Sequence, residues 1–231
     1  MEEKKENKVV VKRKLKLFGL LLIILIGVFL FLIFKLLFSI KINNIFIHNT
    51  KYLTDEYIIE TAKLKNYPSS VLNLSKTIER RLEKSIYIKD AKVNKSFYGV
   101  VDIYIEENPL LFYREYDGKF VYETKEESDE NLYNMPYVKL VNYVPDTIYD
   151  NFVNKYIELS EDVRDKISQV KYDPSEYDDS RFMLYMIDGN YVYITLTKID
   201  SVNYYNEIYP TLNNKKGILY LDSGNHFVEI K

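Results

Sequence analysis

The strongest constraint on this chain is an uninterrupted apolar run near its amino terminus. Residues 17–34 contain no charged side chain, and Lys35 is the first charge after Lys16. As an α-helix this segment would be about 27 Å long, close to the hydrocarbon thickness of a bilayer. The stem of Lys35 can lie along the last turns while its ammonium reaches the headgroups. The run therefore predicts a transmembrane helix over residues 17–40.

Two other interpretations of this run are weaker. A cleaved secretory signal has an apolar core of about 7 to 15 residues and a small-residue cleavage site. The first alanine of this chain is Ala62, far beyond the run. A buried helix of a soluble protein would show a polar face, and residues 17–34 have none. The sequence thus favours a retained membrane anchor.

The flanking charges predict the orientation of the anchor. Residues 1–16 carry seven Lys or Arg, four of them between positions 12 and 16. Such a basic flank is retained in the cytoplasm during membrane insertion. We therefore expect a cytoplasmic tail at residues 1–16 and an extracytoplasmic location for everything after residue 40.

Charge and cysteine content limit what the external part can do. Beyond residue 40 there are 24 basic and 31 acidic residues, a net charge of −7. Nucleic-acid binding is disfavoured, because it depends largely on neutralising phosphates with Lys and Arg. The chain has no cysteine, which rules out disulfides, thiolate nucleophiles and thiolate metal ligands.

Residues 41–108 show the pattern of a small α+β domain. A strand is predicted at 42–47, followed by a helix with Thr54 as its N-cap and a second helix capped by Ser75. Two strands joined by a turn at Tyr98 and Gly99 complete the unit. Their predicted buried positions are Ile88, Ala91, Val93, Val101, Ile103 and Ile105. The order strand, helix, helix, strand, strand predicts two helices covering one face of a three-stranded sheet.

Residues 109–231 show a different pattern, dominated by hairpins. Turn residues at 117–118, 188–190 and 222–225 separate runs typical of strands, and a further strand is predicted at 167–172. Helices are predicted at 148–159 and 200–212, and a polar loop at 126–131. We expect a mainly antiparallel β-domain with one or two helices.

No pattern in the sequence predicts catalysis. His48 and His226 are the only histidines, and neither lies in a metal-binding or catalytic motif. Paired carboxylates leave open a glycan-cleaving site. These pairs are Glu106 with Glu107, Glu126 with Glu127, and Asp178 with Asp179. Consecutive acids on a strand point to opposite faces, however, so we expect no catalytic residue, metal, cofactor or small-molecule substrate.

Several segments together resemble the FtsQ/DivIB family of bacterial cell-division proteins. The basic tail and single span precede segments similar to that family's POTRA domain and β-domain, in the same order. These segments are 45–49, 53–58, 87–93, 101–109, 135–138, 188–190, 205–212 and 217–224. The chain departs from the family pattern at His48, at the turn Tyr98-Gly99 and at the position of Glu107.

The resemblance implies a non-catalytic scaffold of the division machinery at the septum. It implies an anchor at 17–40, a POTRA domain at 41–108 and a β-domain at 109–231. The implied partners are the lipid bilayer and coiled-coil division proteins, DivIC/FtsB-like and FtsL-like. The family receives a partner strand at the end of its β-domain, and the matching residues here are Tyr220, Leu221, Asp222, Ser223 and Gly224.

Two alternatives to the scaffold remain at this stage. One is an anchored POTRA-type protein for export or surface assembly, which would bind a barrel or a translocase. The other is an anchored cell-wall hydrolase, which would need a converging pair of carboxylates in a cleft.

Overall fold

A computed structural model describes residues 17–96, 98–213 and 215–230 of the chain. Its first element is helix α1, Leu17–Ser39. Residues 18–39 are long and apolar enough to cross a membrane, and none of their most apolar stretch is buried against the protein. A core helix of a soluble protein would be covered by its neighbours, so this exposure fits a membrane span. The expected cytoplasmic tail, residues 1–16, lies outside the described residues.

The next elements form a three-stranded sheet with two helices. They are β1 (Asn44–His48), α2 (Asp55–Thr61), α3 (Ser75–Leu82), β2 (Ile88–Lys95) and β3 (Val100–Glu107). Strand β3 lies in the centre, parallel to β1 and antiparallel to β2. This order of elements confirms the α+β layer predicted from the sequence.

Helix α2 begins with a side-chain cap, whereas α3 begins without one. The side chain of Thr54 accepts the N–H of Tyr57 at 3.3 Å, as an N-cap should. Helix α3 begins one residue earlier than predicted, because Leu74 occupies its N-cap position and Ser75 is already helical. The prediction that Ser75 caps this helix is therefore wrong. Ile78 and Leu82, which are four positions apart on α3, are both fully buried.

A β-bulge explains how the predicted buried residues of β2 can all face the core. Ile88 and Ala91 are three residues apart, which would place them on opposite faces of a regular strand. The register shifts between Ile88 and Asp90, so both side chains face the core. In β3 the predicted alternation is regular, and Val101, Ile103 and Ile105 are all buried.

The remaining strands form one nine-stranded sheet in the order β12-β11-β10-β9-β8-β7-β4-β5-β6. Its elements are β4 (Leu110–Arg114), β5 (Lys119–Tyr122), β6 (Glu127–Ser128), β7 (Lys139–Leu140), α4 (Asp146–Ile157), α5 (Glu161–Arg164), β8 (Ile167–Tyr172), β9 (Arg181–Met186), β10 (Tyr191–Thr195), α6 (Tyr205–Ile208), β11 (Gly217–Tyr220) and β12 (His226–Glu229). Antiparallel pairs outnumber parallel ones, as predicted.

Besides β7 and α5, which were not predicted, two features of this second unit differ from the sequence prediction. The predicted polar loop at 126–131 contains the short strand β6, which pairs with β5. The predicted helix at 200–212 is mostly 3₁₀-helical, with α6 between 3₁₀ segments Leu196–Tyr204 and Tyr209–Leu212. Pro210 contributes to this break, because proline lacks the N–H that a continuing α-helix requires.

The two sheets share a packed junction. Tyr122 and Tyr133, from the second unit, are buried in the core of the first. The hydroxyl of Tyr133 donates to the backbone oxygens of Tyr87 at 3.1 Å and Asn108 at 2.7 Å. The side chain of Asn108 is itself fully buried at this point. A domain boundary at 108/109 thus falls inside a continuous contact region and stays a prediction.

Candidate partner-binding edge

The nine-stranded sheet ends in β12 on one side and in the two-residue strand β6 on the other. Ile230 N–H donates to Lys216 O at 2.9 Å, and this bond shows which residues of β12 face β11 with their backbone groups. In an antiparallel pair only alternate residues bond across the ladder. Phe227 and Glu229 therefore direct their backbone N–H and C=O groups away from β11. Among the described residues, no strand lies on that outer side of β12.

Strand β12 is held on the sheet by close packing over Gly217. A Cβ atom on Gly217 would lie 2.2 Å from the carbonyl oxygen of Val228 and 2.6 Å from the ring of Phe227. Glycine is required there because the edge strand and its aromatic ring occupy the space of any side chain. Phe227 in turn packs against the core of the second unit. The edge is therefore anchored on its inner side and open on its outer side.

Two of the sequence-predicted site residues lie on the inner side of this edge. Tyr220 is the last residue of β11, paired with Tyr193 on one side and with His226 on the other. Leu221 is buried, and its N–H donates to Tyr193 O at 2.9 Å. The backbone N–H of Leu221 is therefore already bonded within the sheet. These two residues support β12 and do not themselves form the open edge.

The other three predicted residues form the turn that leads into β12. Gly224 has φ of +123°, a conformation that other residues rarely adopt. Ser223 Oγ donates to a carboxylate oxygen of Asp222 at 2.9 Å. The ammonium of Lys198 donates to the carbonyl oxygen of Asp222 at 2.7 Å. The turn is thus fixed to the 3₁₀ segment that precedes α6.

A ladder of stacked rings crosses the last three strands. The Tyr220 ring lies 5.4 Å from the ring of Tyr193 and 4.7 Å from that of His226, nearly parallel to both. The guanidinium of Arg181 stacks on Tyr193 at 4.6 Å, and burial raises the pKa of the Tyr193 hydroxyl. These cross-strand contacts stabilise β10, β11 and β12 in register. The sequence indicated neither the ring stacking of His226 nor which strand of the terminal hairpin is outermost, although β12 was predicted as a strand.

Most of the carboxylates that left a hydrolase open make structural contacts. Glu107 accepts the N–H groups of Lys51, Tyr52 and Leu53 at 2.8 to 2.9 Å, and so closes the loop before α2. Glu127 pairs with the buried guanidinium of Arg114 at 2.8 Å.

Two of the remaining carboxylates also make structural contacts. Asp178 accepts the N–H of Ser180 at 2.8 Å and its hydroxyl at 2.7 Å. Glu126 accepts the hydroxyl of Thr124 at 3.1 Å. Across the part of the chain that the structure describes, no group of three His, Asp or Glu side chains is placed to hold a metal ion.

A concave surface of about 400 Å³ lies where the two units meet. Its wall includes Tyr52, Pro109 and Ile187. Of its charged groups, Glu161 pairs with Lys51 at 3.1 Å and Arg164 contacts Glu123 at 3.5 Å. The first pair crosses the junction between the two units and the second lies within the second unit, so Glu161 and Arg164 each contact an oppositely charged protein group.

Comparison with known proteins gives a consistent family. A family model described as "POTRA domain, FtsQ-type" matches residues 40–108. The cell division protein DivIB of Listeria monocytogenes is 31% identical over 222 residues, which cover 89% of this chain and 80% of the relative. DivIB of Bacillus cytotoxicus is 27% identical over 238 residues, covering 97% and 89%. DivIB of Bacillus subtilis is 26% identical over 196 residues, covering 82% and 74%.

One solved structure is also similar to the chain. It is the major extracytoplasmic domain of the bacterial cell division protein DivIB from Geobacillus stearothermophilus. The match is 20% identical, covers 47% of this chain and 96% of the other, and has a TM-score of 0.37.

Proposed function

Because the chain belongs to the FtsQ/DivIB family of bacterial cell-division proteins, we propose that it is a non-catalytic scaffold that holds other division proteins at the septum. A role in cell division comes with membership of the family. The scaffold function is inferred from the open sheet edge and from the structural use of the carboxylates. The relatives named above are cell-division proteins, which favours this function over the export and hydrolase alternatives.

The single observation that carries the proposal is the open edge at β12. An exposed edge presents unpaired N–H and C=O groups that can accept a further strand. The outward groups belong to Phe227 and Glu229, while the ring ladder and the turn at Asp222 hold β12 in place. The occupant we propose is an extended segment of a DivIC/FtsB-like coiled-coil protein, with an FtsL-like protein in the same complex. Residues 220–224 contribute by supporting the edge.

The arrangement along the chain supports an anchored, outward-facing protein. Helix α1 is the lipid anchor, residues 1–16 remain in the cytoplasm, and the units at 41–108 and 109–231 lie outside the membrane. An apolar helix followed by an extracytoplasmic part fits a single-pass membrane protein. In this topology the open edge belongs to the unit farther along the chain from the anchor, available to partners outside the cell membrane.

A pair of substitutions at one position tests the proposed edge. In Glu229→Pro the outward N–H is lost, and the proline ring occupies the space of an incoming strand. We expect the partner to bind about 2–3 kcal/mol more weakly, roughly 30–160-fold, from one lost hydrogen bond and one unsatisfied partner carbonyl. Glu229→Ala keeps the N–H and removes only the exposed ion pair with Lys215, so it should bind nearly as the parent does.

The binding assay uses full-length protein in nanodiscs and a purified DivIC/FtsB-like partner. Circular dichroism on both variants verifies that the sheet remains folded. Equal affinity of the Pro and Ala variants would show that the partner does not add a strand to β12. A partner that bound both variants as tightly as the parent would have to contact another surface, such as the unit at 41–108.

A further inference from the structure

The loop at residues 66–74, between α2 and α3, is attached to the point where the chain leaves α1. Ser70 N–H donates to Ile40 O at 2.8 Å, and Ile42 N–H donates to Pro68 O at 3.0 Å. Ile40 is the first residue after the end of α1. Since one residue of chain spans at most about 3.6 Å, these bonds fix the 66–74 loop beside the end of the membrane-length helix.

Between positions 67 and 74 the most exposed side chains are apolar and the most buried ones are polar, the reverse of an ordinary surface loop. Leu72 is 63% exposed, Leu74 is 61% exposed and Tyr67 is 50% exposed. Ser70 and Asn73, in contrast, are each 7% exposed. Apolar side chains concentrated on one exposed loop indicate an interaction surface.

Buried polar contacts hold the loop in this inverted arrangement. The ammonium of Lys95 donates to the carbonyl oxygens of Ser70 and Asn73, and burial lowers the pKa of Lys95. The guanidinium of Arg81 donates to Asn73 Oδ1 at 2.8 Å, and Asn73 Nδ2 donates to Ser69 O at 2.9 Å. The outward position of Leu72 and Leu74 is therefore built into the fold of the loop.

The charge around this loop also differs from the rest of the external part. Between positions 61 and 77 there are three lysines and no acidic residue, in an external part whose net charge is −7. Lys63 and Lys41 are exposed, whereas Lys65 pairs with Glu60 and Lys76 pairs with Glu79 at 3.4 Å. Exposed lysines next to apolar and aromatic side chains are typical of surfaces that lie on anionic membranes.

We propose that the 66–74 loop docks on the outer surface of the bilayer that α1 crosses. Leu72 and Leu74 enter the boundary between headgroups and acyl chains, Tyr67 lies at the headgroup level, and the nearby lysines face anionic phospholipids. Docking fixes the orientation of the first external unit relative to the membrane. The proposal shares with the proposed function only the crossing of the bilayer by α1, and it does not depend on the edge at β12.

The absence of cysteine from the sequence allows a clean test by single labels. Full-length protein carrying Leu72→Cys is labelled with an environment-sensitive fluorophore and reconstituted in vesicles of phosphatidylcholine and phosphatidylglycerol, with no other protein present. Quenching is measured with aqueous iodide, with lipids that carry a nitroxide near the headgroup, and with lipids that carry a nitroxide deep in the acyl chain, which reports on the label at position 29 near the centre of α1. Phe29→Cys, within α1, reports insertion of the anchor, and Tyr177→Cys, at a position 95% exposed, reports a site in water.

We expect the label at position 72 to be quenched by the lipid nitroxide and to be several-fold less accessible to iodide than the label at 177. A label at 72 that behaves like the one at 177, while the label at 29 is quenched by lipid, overturns the docking and leaves the anchor intact. If the label at 29 is not quenched by lipid either, the anchor and the docking are both wrong.

A matched pair of charge substitutions tests the cause of the protection. With the label at Leu74→Cys, adding Leu72→Asp should raise iodide quenching several-fold, because a carboxylate opposes entry into the apolar boundary. Ile187→Asp makes a similar change at a position 66% exposed in the second unit, and should leave the quenching unchanged. If Leu72→Asp has no effect, or if both substitutions act alike, the loop does not contact the bilayer through Leu72.

Discussion

Replacement of Asn108 by alanine should test the junction between the two external units. The Asn108 side chain is fully buried, and its Nδ2 group donates to Ile86 O and to Thr124 Oγ1, each at 2.7 Å. Its Oδ1 atom accepts the N–H of Thr124 at 3.2 Å. Asn108→Ala removes all three hydrogen bonds and leaves two backbone groups, one on each side of the junction, without these partners.

The expected cost follows from those two orphaned groups. An unsatisfied donor or acceptor costs about 1–3 kcal/mol when it is buried; Ile86 is half-buried and Thr124 is an exposed residue, so Asn108→Ala should lower the free energy of unfolding by about 1–3 kcal/mol. The assay is urea unfolding of the fragment 41–231, followed by circular dichroism. Asn154→Ala, at an exposed position of α4, is the control and should change stability by less than about 1 kcal/mol.

A loss below about 1 kcal/mol for Asn108→Ala would refute this reasoning, because it would mean that water replaces the lost bonds at the junction. Two separate unfolding transitions in the parent fragment would also contradict it. In that case the two units would unfold independently, and the shared hydrogen bonds of Asn108 would not couple them.

Three further predictions concern the first unit and the anchor. Ile103→Asp should cost about 4 kcal/mol or more in urea unfolding, because it buries an unpaired charge. Asp102→Ala removes only a half-exposed contact with His48 and should cost less than about 1 kcal/mol, and equal losses for the two variants would contradict the register assigned to β3. Glu107→Ala should lower the free energy of unfolding by about 2–4 kcal/mol in the same assay, since three backbone N–H groups lose their acceptor. An unchanged free energy of unfolding would show that this carboxylate does not hold the loop before α2. Replacing every Lys and Arg between positions 12 and 16 by Glu should weaken or reverse membrane insertion, measured with a topology reporter at the carboxyl terminus. A reporter that is still fully extracytoplasmic would show that these charges do not orient α1.

The sequence correctly predicted the elements that have a clear local pattern, such as a long apolar run, a regular alternation or a characteristic turn. The signal of α1 is the length of its uncharged run, residues 17–34. The alternation of Val101, Ile103 and Ile105 and the Asp117-Gly118 turn carry their signals within a few residues. Hydrophobic burial then acts on those same positions, so the prediction and the structure agree.

Elements with little periodicity were missed or misread. Strands β6 and β7 have two residues each, too few for any alternation to show. They exist because neighbouring strands of the sheet offer backbone partners, a long-range effect absent from the local sequence. The segment at 196–212 has helical spacing of apolar residues, yet Pro210 and packing over the sheet favour tight 3₁₀ turns.

The candidate partner-binding edge was predicted only in part for the same reason, because strand pairing over long sequence distances is not visible in the local sequence. The terminal hairpin was predicted from its turn at residues 222–225, but the sequence does not reveal which of its strands lies outermost. Strand β11 is internal because it pairs in parallel with β10 after the long connection at 196–216. The open backbone therefore belongs to Phe227 and Glu229, and Tyr220 with Leu221 lies one strand further in.

Residue-resolved amide hydrogen exchange of the β-domain, with and without the coiled-coil partner, tests the central claim most directly. Strand addition at β12 predicts that the N–H groups of Phe227 and Glu229 become strongly protected on binding. The N–H of Val228 already faces β11 and should gain much less. Protection that does not alternate along β12, or that appears only within residues 41–108, would contradict strand addition at this edge.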